Sequence, residues 1–201
     1  MEKPHLILAS QSPRRRDLLV ESGYTFDIVV PSDSAECGMC SRETAAELVA
    51  RYAFQKAKDV SPRVESGLIL ACDTVAECHG QILGKPKNAE HAAKMLKAMR
   101  GSEHFVLSGV CLWHRPSNRV LLEIESTTLV MDNISEAWIN DYVQTDQWIG
   151  KAGAFGYQDG LDWVHVTQGS ESNVVGLPME RLADMLERFD SEATQHSLTD
   201  S

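Results

Sequence analysis

No stretch of this sequence approaches the ~20 apolar residues that a membrane-spanning helix needs. Positive charge is scarce: 19 Lys and Arg stand against 29 Asp and Glu, for a formal net charge of −10. That balance, with no stripe of interleaved aromatic and basic residues, argues against nucleic acid as a partner. The Gly-x-x-x-x-Gly-Lys-Ser/Thr loop is absent, which excludes a P-loop enzyme. There is no internal repeat and no interdomain linker, so 201 residues should form one domain, or two lobes on one sheet. The N-terminus offers only about five apolar residues before polar ones, too few for a secretory signal. The five cysteines (37, 40, 72, 78 and 111) are an odd number, and Cys72 and Cys111 sit in apolar runs expected to be buried. The cytosol is therefore the expected compartment. Cys37-Gly-Met-Cys40 has the spacing of a metal knuckle but no second pair to complete four ligands.

What is present has an ordinary globular composition, 43% hydrophobic and 24% charged. Leu6 to Ala9 reads as a buried strand, and Ser12-Pro13 as an N-cap followed by proline at the first helical position. The helix should end near Ser22, with Gly23 as its left-handed stop. Arg14, Arg15 and Arg16 then fall in its first turn, where acidic residues are normally favoured. With Ser10, Ser12 and free backbone N–H groups, up to three guanidinium groups would converge on a bound anion such as phosphate. The alternative is an exposed, solvated basic turn.

Phe26 to Val30 reads as a strand and residues 31–40 as a polar loop holding Asp33 and Glu36. Ser41 or Thr44 opens the next helix, Thr44-Ala-Ala-Glu47 having the form of a capping box. Lys56 follows the apolar stripe of that helix, and such a lysine usually snorkels to water. Gly67 to Cys72 is a continuous apolar run, a strand covered on both faces. Asp73-Thr74 ends it, so Asp73 is either a turn former or a carboxylate where open α/β sheets carry chemistry. A hairpin around Gly80 leads to Lys85, just ahead of a helix capped by Asn88 and stopped by Gly101, with Ala92, Met95, Leu96 and Met99 as its stripe. Residues 104–113 and 119–131 should pair as a hairpin. Ser135 to Gln144 reads as a helix with Trp138, Ile139 and Tyr142 inward. Residues 151–158 are glycine-rich, allowing either close backbone approach to a ligand or a plain loop. A strand at 163–167, a polar loop at 169–173, a helix ending near Phe189 and a disordered polar tail over 190–201 complete the expected order.

Together, an anion site, Lys56, Lys85 and Asp73 form a set suited to phosphoryl or nucleotidyl transfer: cations for a polyphosphate, carboxylates for a metal and a water. The chain resembles the Maf-like nucleoside triphosphate pyrophosphatases. The matching stretches are Leu8-Ala-Ser-Gln-Ser-Pro-Arg-Arg15, Arg51-Tyr-Ala-Phe-Gln-Lys-Ala57, Asp73-Thr74, Gly84-Lys-Pro86, Ala89-Glu-His-Ala-Ala-Lys-Met-Leu96, Lys151-Ala-Gly-Ala-Phe-Gly-Tyr-Gln158 and Val175-Gly-Leu-Pro178. They run in the family's order over nearly the whole chain. The resemblance implies an elongated mixed α/β sheet flanked by helices, with a cleft between two lobes of a single domain over 1–189, usually as a homodimer. It implies hydrolysis of a nucleoside triphosphate to monophosphate and pyrophosphate with Mg²⁺ or Mn²⁺. Carried over by position, Asp73 would accept the proton of the attacking water and share in binding the metal. Ser10, Ser12, Arg15, Lys56 and Lys85 would hold phosphates. Arg14, Thr74 and Gln158 match the branch preferring dTTP and UTP. The family's metal-binding Glu lies in a loop that is longer here, and Glu36 is the expected counterpart with Asp33 in reserve. A nucleotide-binding regulator of cell division with little turnover is the alternative function.

Overall fold

The computed structural model describes residues 3–36, 38, 42–160 and 162–199. Leu6–Leu8 (β1) buries all three side chains and needs a strand on each edge. It pairs in parallel with Phe26–Ile28 (β2) on one side and with the start of Gly67–Cys78 (β3) on the other, Leu6 opposite Leu68 and Leu8 opposite Leu70. The connection from β1 to β2 carries the helix Pro13–Glu21 (α1); that from β2 to β3 carries Ala45–Val60 (α2). Side chains alternate across a strand, and the two helices use opposite faces. Leu19 of α1 packs with Leu6, Leu8 and Leu70, whereas Ala53, Ala57 and Val60 of α2 pack with Ile7, Ile69 and Ala71.

β3 then changes partner. Past Leu70 the edge shared with β1 ends, and Gln81–Leu83 (β4) folds back antiparallel on Ala76, Glu77 and Cys78. Its other edge is paired along almost its full length with Glu103–Arg115 (β5), which continues into Val120–Met131 (β6) and Val164–Gln168 (β7). The seven-stranded sheet runs β2-β1-β3-β5-β6-β7, with β4 on β3. Ala89–Met99 (α3) and Glu136–Tyr142 (α4) close one end of it, burying Met95, Leu96, Met99 and Ile139 against Leu129, Met131 and Trp163. Met179–Thr199 (α6) covers the face shared with α1, through Leu182, Met185, Leu186 and Phe189. Full burial of such side chains contributes about 1.5–3 kcal/mol each. Among the described residues no helix is long and apolar enough to cross a membrane.

Several expectations are corrected. Asp73-Thr74 does not end the third strand, which runs on to Cys78 because β4 and β5 pair with its second half. β2 stops at Ile28. The segment read as a polar loop at 169–173 contains a short helix, Glu171–Val175 (α5), started by the Ser170 hydroxyl accepting from the Asn173 N–H. α6 continues past Phe189 to Thr199, through residues that include no glycine or proline. Thr44 rather than Ser41 caps α2, with both bonds of the capping box present. Cys37 and Cys40 lie outside the described residues.

Gly109 on β5 brings α2 onto the sheet. It is paired opposite Asp73, and a Cβ there would stand 2.2 Å from the Val49 carbonyl oxygen and 2.8 Å from the Ala50 nitrogen. Both are backbone atoms of α2, which therefore lies against β5 without an intervening side chain. Two turns farther along α2 is Lys56. Gly109→Ala should lower stability by about 1–3 kcal/mol through overpacking. Gly84→Ala, where an added Cβ meets nothing within 4 Å, should leave the urea midpoint unchanged. Equal midpoints for the two variants would show that α2 has room to move.

Candidate active site

The connections leaving β1 and entering β3 pass on opposite faces, so a crevice opens between the carboxyl ends of these two parallel strands. Open α/β sheets bind ligands at such a switch point. Here the crevice is enlarged because, among the described residues, β3 has no strand partner on that edge between Leu70 and Ala76. Through this gap both faces of β3 reach one cleft of about 820 Å³. Asp73 and Thr74 lie in the gap, beyond the end of the parallel pairing although inside the strand.

One end of the cleft is polar. Ser10 and Ser12 from the β1–α1 loop, Arg14 and Arg15 from α1, and Lys85 after β4 line it. Ser12 occupies the N-cap position of α1 without its side chain capping, and its backbone N–H donates to the Ser10 hydroxyl at 3.1 Å. The three arginines do not converge: Arg16 is exposed and away from the cleft, whereas Arg14 is half-buried and lines it. Arg15 is buried and donates to protein groups from all three nitrogens. Nε reaches the Gly176 carbonyl at 2.8 Å, Nη1 the Ser10 hydroxyl at 3.2 Å and Nη2 the Thr74 hydroxyl at 3.3 Å.

Lys56 does not snorkel to water. It is 7% exposed, and its ammonium bridges Asp73 at 2.6 Å and Glu36 at 2.8 Å. A carboxylate within reach of a buried lysine outweighs water as a partner once the helix is held against the sheet. Asp73 is itself buried, and burial raises its carboxyl above the ordinary aspartate range; Lys56 and Arg15 offset part of that rise and Glu36 adds to it. For Glu36, half-exposed on the cleft, burial acts upward too. The hydrogen bond and charge of Lys56, with Lys85 and Arg15 behind, outweigh it and hold the group below its usual value. Asp33 lines the cleft with Glu36, but only Glu36 reaches Lys56.

The other end is apolar: Ala76, Val106, Ala152, Phe155, Tyr157 and Val174. Gly153 (φ 69°) lets this segment turn against Ala76, whose Cβ would lie 3.3 Å from an added Cβ. Phe155 is backed edge-on by His104, which is fully buried; burial outweighs a bond with the Ser102 backbone and lowers its pKa to about 4, so it is neutral near pH 7. The Tyr157 hydroxyl donates to Glu171 at 3.0 Å, tying this segment to α5. Gln158 is exposed and does not line the cleft; the structure does not bring it to the other predicted residues.

The Maf-like protein family matches residues 5–189. The chain belongs to the Maf family. Among its relatives, a protein of Rhodopirellula baltica named dTTP/UTP pyrophosphatase is 54% identical over 189 residues, 94% of this chain and 83% of the relative. One of the same name from Ruminiclostridium cellulolyticum is 38% identical over 94% of this chain and 97% of its own. Another from Methanosarcina barkeri is 40% identical over 91% and 93%. In this Maf protein the motif residues from Ser10 to Lys85 do gather on one cleft. The apolar end was not foreseen as a pocket. Phe155 and Tyr157 sit in a stretch whose glycines are its main signal, and Tyr52, which also lines the cleft, lies on α2. Val106 and Val174 carry no sequence signal that separates them from core valines.

Lys56 favours the ionised form of Asp73, so its removal should raise the Asp73 pKa further. The acid limb of kcat/KM reports a base in the free enzyme and should move to higher pH in Lys56→Met. That shift should accompany a fall in kcat/KM at neutral pH. A pH–rate profile with an unmoved acid limb would show that Asp73 is not the titrating base.

Proposed function

We propose that this Maf-family chain is a nucleoside triphosphate pyrophosphatase that cleaves dTTP and UTP to the monophosphate and pyrophosphate. The observation that carries the reading is the buried Asp73–Lys56 pair at the meeting point of a cationic and an apolar cleft end. The names of the relatives support it.

In this reading Ser10, Ser12, Arg14, Arg15 and Lys85 receive the triphosphate, whose charge needs several cations. Asp73 accepts a proton from a water attacking the α phosphorus, and the bond from that phosphorus to the β-phosphate bridging oxygen breaks. A raised pKa suits a carboxylate to this task, because it brings the base closer to neutral pH. Lys56 holds the carboxylate in one orientation, on a strand paired on both sides of the gap, which favours a fixed near-attack geometry.

Glu36 and Asp73 converge on one ammonium, and two carboxylates beside a phosphate-binding end form a donor set that suits Mg²⁺ or Mn²⁺. These residues would hold the ion, with Asp33 as the reserve ligand. A bound divalent ion lowers the pKa of coordinated water and neutralises phosphate charge.

The base falls to the apolar end, between Phe155, Tyr157, Val106 and Val174. Gln158 has no part in this geometry, and the uracil edge is left to backbone groups of the cleft. A regulator with little turnover would have no use for the buried Asp73–Lys56 pair, which burial alone makes costly. The same proposal includes a two-lobed domain, a homodimer and a cytoplasmic location. Leu122 and Ile124 on β6 are 38% and 40% exposed and would be covered by a second copy.

The test is a panel of dTTP, UTP, CTP, ATP, GTP and 7-methyl-GTP with Mg²⁺ or Mn²⁺, scored for pyrophosphate against orthophosphate. Pyrophosphate should appear, fastest from dTTP and UTP, and EDTA should stop it. Asp73→Asn should lower kcat by about 10²–10⁴-fold while nucleotide binding persists. Orthophosphate with a diphosphate product would move the attack to the γ phosphorus and overturn the reading. A preferred purine would overturn the base assignment alone.

A further inference from the structure

The wall of the apolar end formed by α5 is fastened at two places. At its start Asn173, fully buried, donates from Nδ2 to the Val106 carbonyl at 2.9 Å and to the Thr127 hydroxyl at 3.0 Å. At its end the Gly176 carbonyl is approached by Arg15 Nε at 2.8 Å, the Thr74 hydroxyl at 3.3 Å and the Cys72 thiol at 3.4 Å. Val174 and Val175 lie between these fastenings and face the cleft.

Thr74 has one proton and two lone pairs. Given to Gly176, that proton cannot also serve the 2.7 Å contact with Ser108. In that arrangement Ser108 is the donor there, and Arg15 Nη2 fills the second lone pair of Thr74. Ser108 is 0% exposed and has no other side-chain partner among the described residues. It touches neither the cleft nor the Asp73–Lys56 pair. Adjacent residues of a strand point to opposite faces, so the relay through Thr74 lies on the side of β3 away from Lys56.

We infer that Ser108 is a positioning residue for base choice, acting through Thr74 and the Gly176 carbonyl on the Val174–Val175 wall. The inference rests on the base occupying the apolar end. Without the Ser108 proton, Thr74 is left with an unfilled lone pair and a weaker grip on Gly176, since hydrogen bonds in a chain strengthen one another. The wall is then held at that end mainly by Arg15. Its looser placement admits bases other than uracil and thymine, while proton transfer at Asp73 is untouched.

The experiment measures kcat and KM for the best-cleaved triphosphate and for CTP in wild type, Ser108→Ala, Thr74→Ser, Thr74→Val and the double variant Ser108→Ala/Thr74→Val. Ser108→Ala should reduce the preference over CTP by about three- to ten-fold, carried by KM. Its kcat for the preferred substrate should stay within about two-fold and its acid limb should not move. Thr74→Ser keeps the hydroxyl and should keep the preference. Thr74→Val should lose it at least as far as Ser108→Ala, and the double variant should lose no more than Thr74→Val alone. A Ser108→Ala enzyme with a lowered Tm and a wild-type base ratio would overturn the inference, as would additive losses in the double variant. The pyrophosphatase reading stands or falls on the wild-type products alone, so the two failures are told apart.

Discussion

An ammonium ion held away from water between two carboxylates is the contact on which the rest of this molecule depends. Burying such charges is expensive, and breaking the pair by removing one partner typically costs about 3–5 kcal/mol. The fold meets that cost through backbone placement. Gly109 lets α2 lie directly on β5, and the two turns from Val49 carry Lys56 to the gap where Asp73 waits on β3. Were α2 farther out by one side chain, Lys56 would reach solvent and Asp73 would be a buried, uncompensated acid. Charge, helix packing and strand register are thus parts of one arrangement.

β3 supplies the second constraint. Its first half belongs to a parallel sheet wrapped by helices on both faces, its second half to an antiparallel sheet, and no strand covers its edge between the two. A cleft at that position sees both faces. This is how residues with different surroundings, a buried acid on one face and a hydroxyl network on the other, come to border one ligand space. It also explains why the cleft is cationic at one end and apolar at the other. The cationic end is made by a loop and the start of α1. The apolar end is made by side chains that would otherwise be core.

Much of this was legible in the sequence where local rules decide. The capping box at Thr44, the Asn88 cap and the apolar stripe of α3 are short-range signals, and each is present as expected. The phosphate-end residues were legible through motifs. What was not legible depends on partners distant in sequence. β3 extends past Asp73 because β4 and β5 pair with it. Lys56 is buried because Gly109, far along the chain, lets α2 lie directly on the sheet. The helix α5 has too few residues to show a period and owes its place to Asn173 and Gly176. Gln158 matched a family position, yet the turn that carries it faces outward.

Asp73 and Thr74 are neighbours in the chain and strangers in space. One lies on the face that carries Lys56, the other on the face that carries Ser108 and Gly176. In the proposed reading a single peptide bond therefore separates reactivity from taste. A lineage could revise which nucleotides it removes by drifting at Thr74, Ser108 and the residues they hold, while the reacting face stays under undisturbed selection. An enzyme built this way is well suited to diversify into siblings that share one chemistry and divide the nucleotide pool among them.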